Sequence, residues 1–145
     1  MKIVINSCFG GFGLSSEAVL YLIKRDSLLI KKQHVSKYFG KETEEEVVKE
    51  FNKYGKWDTF KDGYLAQHDL SILFKDNYIY DVEIDNAQRN HLDLVEVVEA
   101  LKEKANGPCA KLKIVDIPKN VKWTIAEYDG NEHVAEKHRT WYAEE

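Results

Sequence analysis

Apolar positions change their spacing several times along the chain, and each change marks an element. Ile3-Val4-Ile5 is a continuous apolar run and predicts a short buried strand over Lys2–Ile5. From Glu17 to Arg25, residues Ala18, Val19, Leu22 and Ile23 fall on one face, as in an amphipathic helix. Ser15 stands where it would cap that helix, with Leu14 and Val19 placed as a hydrophobic staple and Lys24 and Arg25 closing the last turn. Residues 26–40 are mixed, and a strand followed by a loop is expected there. Val47, Val48, Phe51 and Tyr54 share a face of a second helix over Glu42–Tyr54, stopped by Gly55. Residues 56–76 read as a loop and then a strand around Leu70–Phe74. Alternation from Tyr78 to Ile84 predicts a half-buried strand with Tyr78, Tyr80, Val82 and Ile84 inward, joined to its predecessor by a turn at Asp76-Asn77. A polar loop over Asp85–His91 leads to a third helix with Leu94, Val97, Val98 and Leu101 on one face, capped by Asn90 and ended by Asn106-Gly107-Pro108. Strands over Lys111–Ile117 and Val121–Tyr128 follow. Asp129-Gly130 signals a hairpin, and Glu132–Tyr142 is extended or partly helical. The order β-α-β-α-β-β-α-β-β-β predicts an α+β fold, a mixed or antiparallel sheet with about three helices packed on it.

Composition bounds the function more than the fold. At 145 residues the chain is expected to form a single domain, 1–145, with 43% hydrophobic and 32% charged residues. A net charge of −4 argues against general nucleic-acid binding. No apolar run approaches the ~18 residues of a membrane span, and the N-terminal run is too short for a signal peptide, so a cytoplasmic protein is expected. Cys8 and Cys109 lie far apart in sequence, form no CxxC, and are expected to be reduced thiols. Of the 21 basic residues only Arg25, Arg89 and Arg139 are arginines. In a lysine-covered chain each is a candidate for work that needs a planar, bidentate donor, the alternatives being a surface residue or a structural ion pair.

Two stretches carry candidate chemistry. The first runs from Asn6 through Ser7, Cys8, Phe9, Gly10, Gly11, Phe12, Gly13 and Leu14 to Ser15, between a strand and a helix. It matches neither a dinucleotide fingerprint nor a Walker loop. Its glycines and the capped helix behind them suit an anion, and Phe9 and Phe12 would stack on a base, or else staple a plain turn into the core. Cys8 is a weaker nucleophile candidate, more simply a small buried hydrophobe. The second stretch, Tyr128–Trp141, is dense in titratable groups. If extended, Glu132, Glu136 and His138 share a face. They are candidates for acid–base chemistry, and with Arg139 for an anion clamp or a ladder of surface ion pairs. No metal site is expected, since His133 and His138 lack the usual partner ligands.

Together these ends resemble a family of small proteins frequent in bacteriophage and prophage genomes. The residues that carry the resemblance are Asn6–Ser15, then Arg89 with Leu92–Leu101, Leu112–Pro118, Tyr128-Asp129-Gly130, Glu132, Glu136 and His138-Arg139-Thr140-Trp141. The resemblance implies a phage or prophage origin and an intracellular product, and it supplies no catalytic residues. The expected function is binding of a phosphate-bearing, nucleotide-derived ligand, in a phage setting as a sponge for a host immune signal. Asn6, Ser7, Phe9, Gly10, Gly11, Phe12, Gly13, Ser15, Arg89, His138, Arg139 and Trp141 would form the site, with no cofactor. An enzyme using Glu132, Glu136, His138 or Cys8 is one alternative. A protein–protein inhibitor presenting Trp57, Phe60, Tyr64, Tyr78 and Tyr80 is another, and the same aromatics suit a homodimer interface. The proposed ligand site requires the two ends of the chain to meet.

Overall fold

The computed structural model describes residues 1–40, 43, 45–49, 57–60, 63–66, 71–138, 141 and 143, with the backbone alone at 38, 39, 57–60 and 63–66. The fold is α+β, and every sheet in the described residues is antiparallel. Strands β1 (Lys2–Asn6) and β7 (Leu112–Asp116) form a ribbon. Strands β2 (Ile30–His34), β6 (Tyr78–Val82), β5 (Ile72–Lys75), β4 (Gly63–Ala66) and β3 (Trp57–Phe60) form a five-stranded sheet in that spatial order. Strands β8 (Trp123–Tyr128) and β9 (Asn131–Glu136) form a hairpin. The helices are α1 (Ser16–Lys24), α2 (Val35–Phe39), α3 (45–49) and α4 (Leu92–Leu101).

These elements stack as layers around three apolar clusters. The largest sits between α1, α4, one face of the ribbon and one face of the five-stranded sheet, and joins Leu14, Val19, Leu22, Leu94, Val97, Val98, Val4, Leu112, Leu73 and Val82. A second covers the opposite face of the large sheet with Val35, Val47, Ile72, Phe74 and Ile79. A third lies on the far side of the ribbon, where Ile3 and Ile5 meet Ile125 and Val134 of the hairpin. Strands β5 and β6 of the large sheet are therefore covered on both faces. Alternation at Tyr78–Val82 predicted one apolar side, but Ile79 is buried as fully as any residue of that strand.

Local chemistry explains most boundaries. Ser15 caps α1 through its hydroxyl, which accepts from the Ala18 N–H. Asp76 and Asn77 both take positive φ between β5 and β6, as do Asp129 and Gly130 between β8 and β9, which is the geometry of tight hairpins. The expected loop after His34 is instead the short helix α2. The His34 imidazole accepts from the Ser36 N–H at its start, and Gly40 takes a left-handed conformation at its end. His91, and not Asn90, caps α4 in the same way, its ring nitrogen accepting from the Asp93 N–H. The expected loop before residue 70 contains the β3–β4 pair, with Trp57↔Ala66 and Phe60↔Gly63 as partners. Within the expected helix 42–54 the described residues are helical at 45–49; the remainder of that prediction lies outside the described residues.

A polar network ties the end of α1 to the start of α4. The Ser27 hydroxyl donates to Asp93 at 2.6 Å, and Arg25 Nε lies 3.2 Å from Asp93 and 2.6 Å from Glu96. The Ser27 hydroxyl first, and the Arg25 guanidinium after it, hold the Asp93 carboxyl below the ordinary carboxylate range against the opposing cost of burial. A folded-state pKa below the unfolded value of about 3.9 gives a stabilisation present at neutral pH and lost as pH falls below about 4 through the folded pKa. Asp93→Asn is expected to lower stability at pH 7 by about 1 kcal/mol, and the gap to the unmodified chain is expected to close as pH falls from about 4 through the folded pKa. Urea unfolding at pH 7 and at a series of lower pH values checks both.

Candidate functional site

Strand β1 pairs with β7 along one edge only. Its other edge points its N–H and C=O groups at Val4 and its N–H at Asn6 away from β7, and leaving such groups bare in the interior would be costly. Among the described residues no strand pairs with them. The Arg89 carbonyl accepts from the Val4 N–H at 2.9 Å, Arg89 Nη1 reaches the Val4 carbonyl at 3.4 Å, and Glu132 Oε1 accepts from the Asn6 N–H at 2.7 Å. Arg89 follows the 3-10 turn Asn86–Gln88 just before α4, and Glu132 is the second residue of β9.

The two side chains also hold each other. Arg89 Nη1 and Nη2 donate to Glu132 Oε1 and Oε2 at 2.6 and 2.8 Å, a bidentate pair whose side chains are only 4% and 8% exposed. The guanidinium carbon lies 3.7 Å from the centre of the Phe12 ring, so the cation is covered by an aromatic face. Arg89 Nη2 has a long contact with Asn86 Oδ1 at 3.4 Å, and Nε is buried with no hydrogen-bond partner. Two charges out of water repay their desolvation only with good geometry and further hydrogen bonds. Both oxygens of Glu132 are engaged and one serves two donors, which supplies those bonds.

Asn6 completes the junction. It is fully buried. Its amide nitrogen donates to the carbonyls of Cys8 and Gly130 at 2.9 and 2.8 Å, and its Oδ1 accepts from the Lys111 N–H at 2.8 Å. The glycine loop then packs backbone to backbone. A Cβ at Gly10 would lie 1.8 Å from the Cys109 carbonyl oxygen, and one at Gly130 would lie 2.8 Å from the Gly11 nitrogen, so neither position admits a side chain. The Gly13 carbonyl accepts from Gly107, the Leu14 N–H donates to the buried Ser71 hydroxyl, and the Ser15 hydroxyl donates to the Lys104 carbonyl while capping α1. Ser7 donates through N–H and hydroxyl to the Lys111 carbonyl.

The two ends of the chain therefore meet, as the site required, but their meeting is a packed junction. Asn6, Ser7, Gly10, Gly11, Phe12, Gly13, Ser15, Arg89 and Glu132 are engaged with one another or with neighbouring backbone. The expectation that Arg89 offers its fork to a phosphate finds that fork filled by Glu132. Phe9 and Phe12, paired in sequence reasoning, separate: Phe12 covers Arg89 and Phe9 is 65% exposed. Tyr128, 79% exposed, ends β8 two residues before Gly130, whose turn backs onto the Phe9 carbonyl. Glu136 and His138 are exposed, and so is Trp141. Arg139 lies outside the described residues, as do Trp57, Phe60 and Tyr64 beyond their backbone. Tyr78 and Tyr80 are half-buried, with the Lys32 ammonium 4.1 and 5.7 Å from their ring centres. Cys8 and Cys109, remote in sequence, are neighbours: the Cys8 thiol donates to the Cys109 carbonyl at 3.1 Å. A separate cavity of 440 Å³ opens between Met1, Lys2 and the Leu92, Val95 and Glu99 side of α4, and it includes none of the predicted site residues. Sequence reasoning missed Asn6 as a structural bracket, Lys111 as its partner, and the pairing of Arg89 with Glu132.

Breaking the pair from one side is expected to cost far more than removing both partners. Glu132→Ala strands the Arg89 charge and should lose about 3–5 kcal/mol, whereas Arg89→Met with Glu132→Leu should regain much of that loss. Recovery stays incomplete because the Asn6 N–H loses its acceptor. Chemical unfolding of the two variants beside the unmodified chain measures the difference.

Comparison of the chain with protein-family models, with curated proteins and with solved structures finds no match.

Proposed function

We propose that the protein binds a phosphate-bearing, nucleotide-derived ligand at the outer rim of the junction between the glycine loop and the β8–β9 turn. The observation that supports this is the pair of exposed aromatic rings, Phe9 and Tyr128, set beside that junction on backbone that is hydrogen-bonded and close-packed beneath them. Exposed rings on rigid backbone suit stacking against a base, which contributes about 1–3 kcal/mol per base. Lys111 is exposed next to Ser7 and offers a cation for a phosphate. Arg89 serves such a site by holding its floor through Glu132. In the phage or prophage setting that the resemblance implies, the function is sequestration of a host nucleotide signal, which needs affinity and no turnover.

The test is depletion of a mixed nucleotide pool. One species should be withdrawn by the protein and released intact on heating. Phe9→Ala and Tyr128→Ala should each weaken its capture by on the order of tenfold while leaving the melting temperature nearly unchanged, because exposed side chains contribute little to the fold. Release of a chemically altered species would replace this reading with the enzyme, for which Glu136 and His138 remain exposed. No depletion, with a host protein retained, would replace it with the inhibitor.

A further inference from the structure

The fold brings together the only two cysteines of the chain, 101 positions apart. The Cys8 thiol lies 3.1 Å from the Cys109 carbonyl oxygen and 3.2 Å from Asn6 Oδ1. The approach is set by backbone. The Gly10 position is so close to Cys109 that an added Cβ would sit 2.9 Å from the Cys109 Cβ. Asn6 brackets both segments, donating to the Cys8 carbonyl and accepting from the Lys111 N–H, and Ser7 donates to the Lys111 carbonyl. Both thiols are free, Cys109 exposed and Cys8 half-buried. The Cys8 sulfur already touches the Cys109 main chain, so rotation of the Cys109 side chain with a small local backbone adjustment brings the two sulfurs to bonding distance.

We propose that Cys8 and Cys109 form a reversible intramolecular disulfide when a peroxide reaches the exposed thiol. The Cys109 thiolate attacks one oxygen of hydrogen peroxide, the O–O bond breaks, and the departing hydroxide takes up the thiol proton as water, leaving a sulfenic acid. The Cys8 thiolate then attacks that sulfur. The S–S bond forms, the S–O bond breaks, and a second water leaves, so that two electrons pass from the thiol pair to the peroxide. The product staples the loop that carries Phe9 to the turn that leads into β7. This assignment is independent of any ligand bound at the rim.

The experiment treats the full chain with stoichiometric hydrogen peroxide, in native buffer and in concentrated urea, and follows free thiols, intact mass and the peptide map. The expected result is loss of both thiols from a monomeric chain, a mass decrease of about 2 Da, a cross-linked pair of peptides containing Cys8 and Cys109, and full reversal by dithiothreitol. Because the fold supplies the proximity, the reaction should run at least about tenfold faster in native buffer than in urea. Cys8→Ser should instead accumulate a dimedone-reactive sulfenic acid at Cys109. A sulfinic acid at Cys109 with Cys8 still free, chains cross-linked to one another through Cys109, or equal rates in the two solvents would each overturn the proposal. All of these readouts but the dimedone trap use the unmodified chain and do not depend on a variant folding.

Discussion

One buried ion pair closes the exposed edge of the strand at the centre of this fold. β1 is covered on one face by the helical layer and on the other by the β8–β9 hairpin, and β7 satisfies one of its edges. The remaining edge belongs to Arg89 and Glu132. They answer its backbone with a carbonyl, a guanidinium and a carboxylate, and they bind each other bidentately. This arrangement joins three distant parts of the chain: the first strand, the turn before α4 and the last hairpin. Asn6 extends the same junction by one residue and adds the Cys8 carbonyl, the Gly130 carbonyl and the Lys111 amide to it. The glycine loop follows from that geometry, since the chain leaving Asn6 runs against Cys109 and Gly130 too closely for side chains.

The same pair redirects the functional reading. A scarce arginine in a lysine-rich chain is a reasonable phosphate ligand, and a carboxylate near a histidine is a reasonable acid–base group. Here each neutralises the other inside the protein, and chemistry offered to solvent falls to what surrounds them. Phe9 and Tyr128 at the rim, Lys111 beside Ser7, Glu127, Asp129, His133 and Glu136 on the hairpin, and His138 just after it are among the exposed groups of that region. An anion-binding loop and a plain turn stapled into the core were the two expectations for the glycine stretch. Its hydrogen bonds and close backbone contacts make it a platform.

Legibility in the sequence followed the physics of each element. The α1 boundary was readable because a serine hydroxyl caps it, and both tight hairpins were readable because Asp-Asn and Asp-Gly are the residues that tolerate positive φ. The starts of α2 and α4 were not, for one shared reason: a histidine ring nitrogen does the capping, at His34 and His91, where serine, threonine, aspartate or asparagine is the usual signal. Burial of Ile79 escaped the alternation rule because that rule assumes one solvated face. The continuous run Ile72-Leu73-Phe74 in the neighbouring strand was the available sign that the sheet is covered twice. Arg89 and Glu132 were each singled out by residue type, but their partnership depends on the third dimension, as does the contact between Cys8 and Cys109.

Amide hydrogen exchange at the β1 edge tests the central claim most directly. If the Arg89–Glu132 pair closes that edge, the Asn6 and Val4 amides exchange as slowly as the core in the unmodified chain. In a Glu132→Gln variant that remains folded, the Asn6 amide and, less strongly, the Val4 amide should then exchange markedly faster, while the Ile3 and Ile5 amides that face β7 keep their protection. Equal loss of protection at all four positions, or no change at Asn6, would contradict the account.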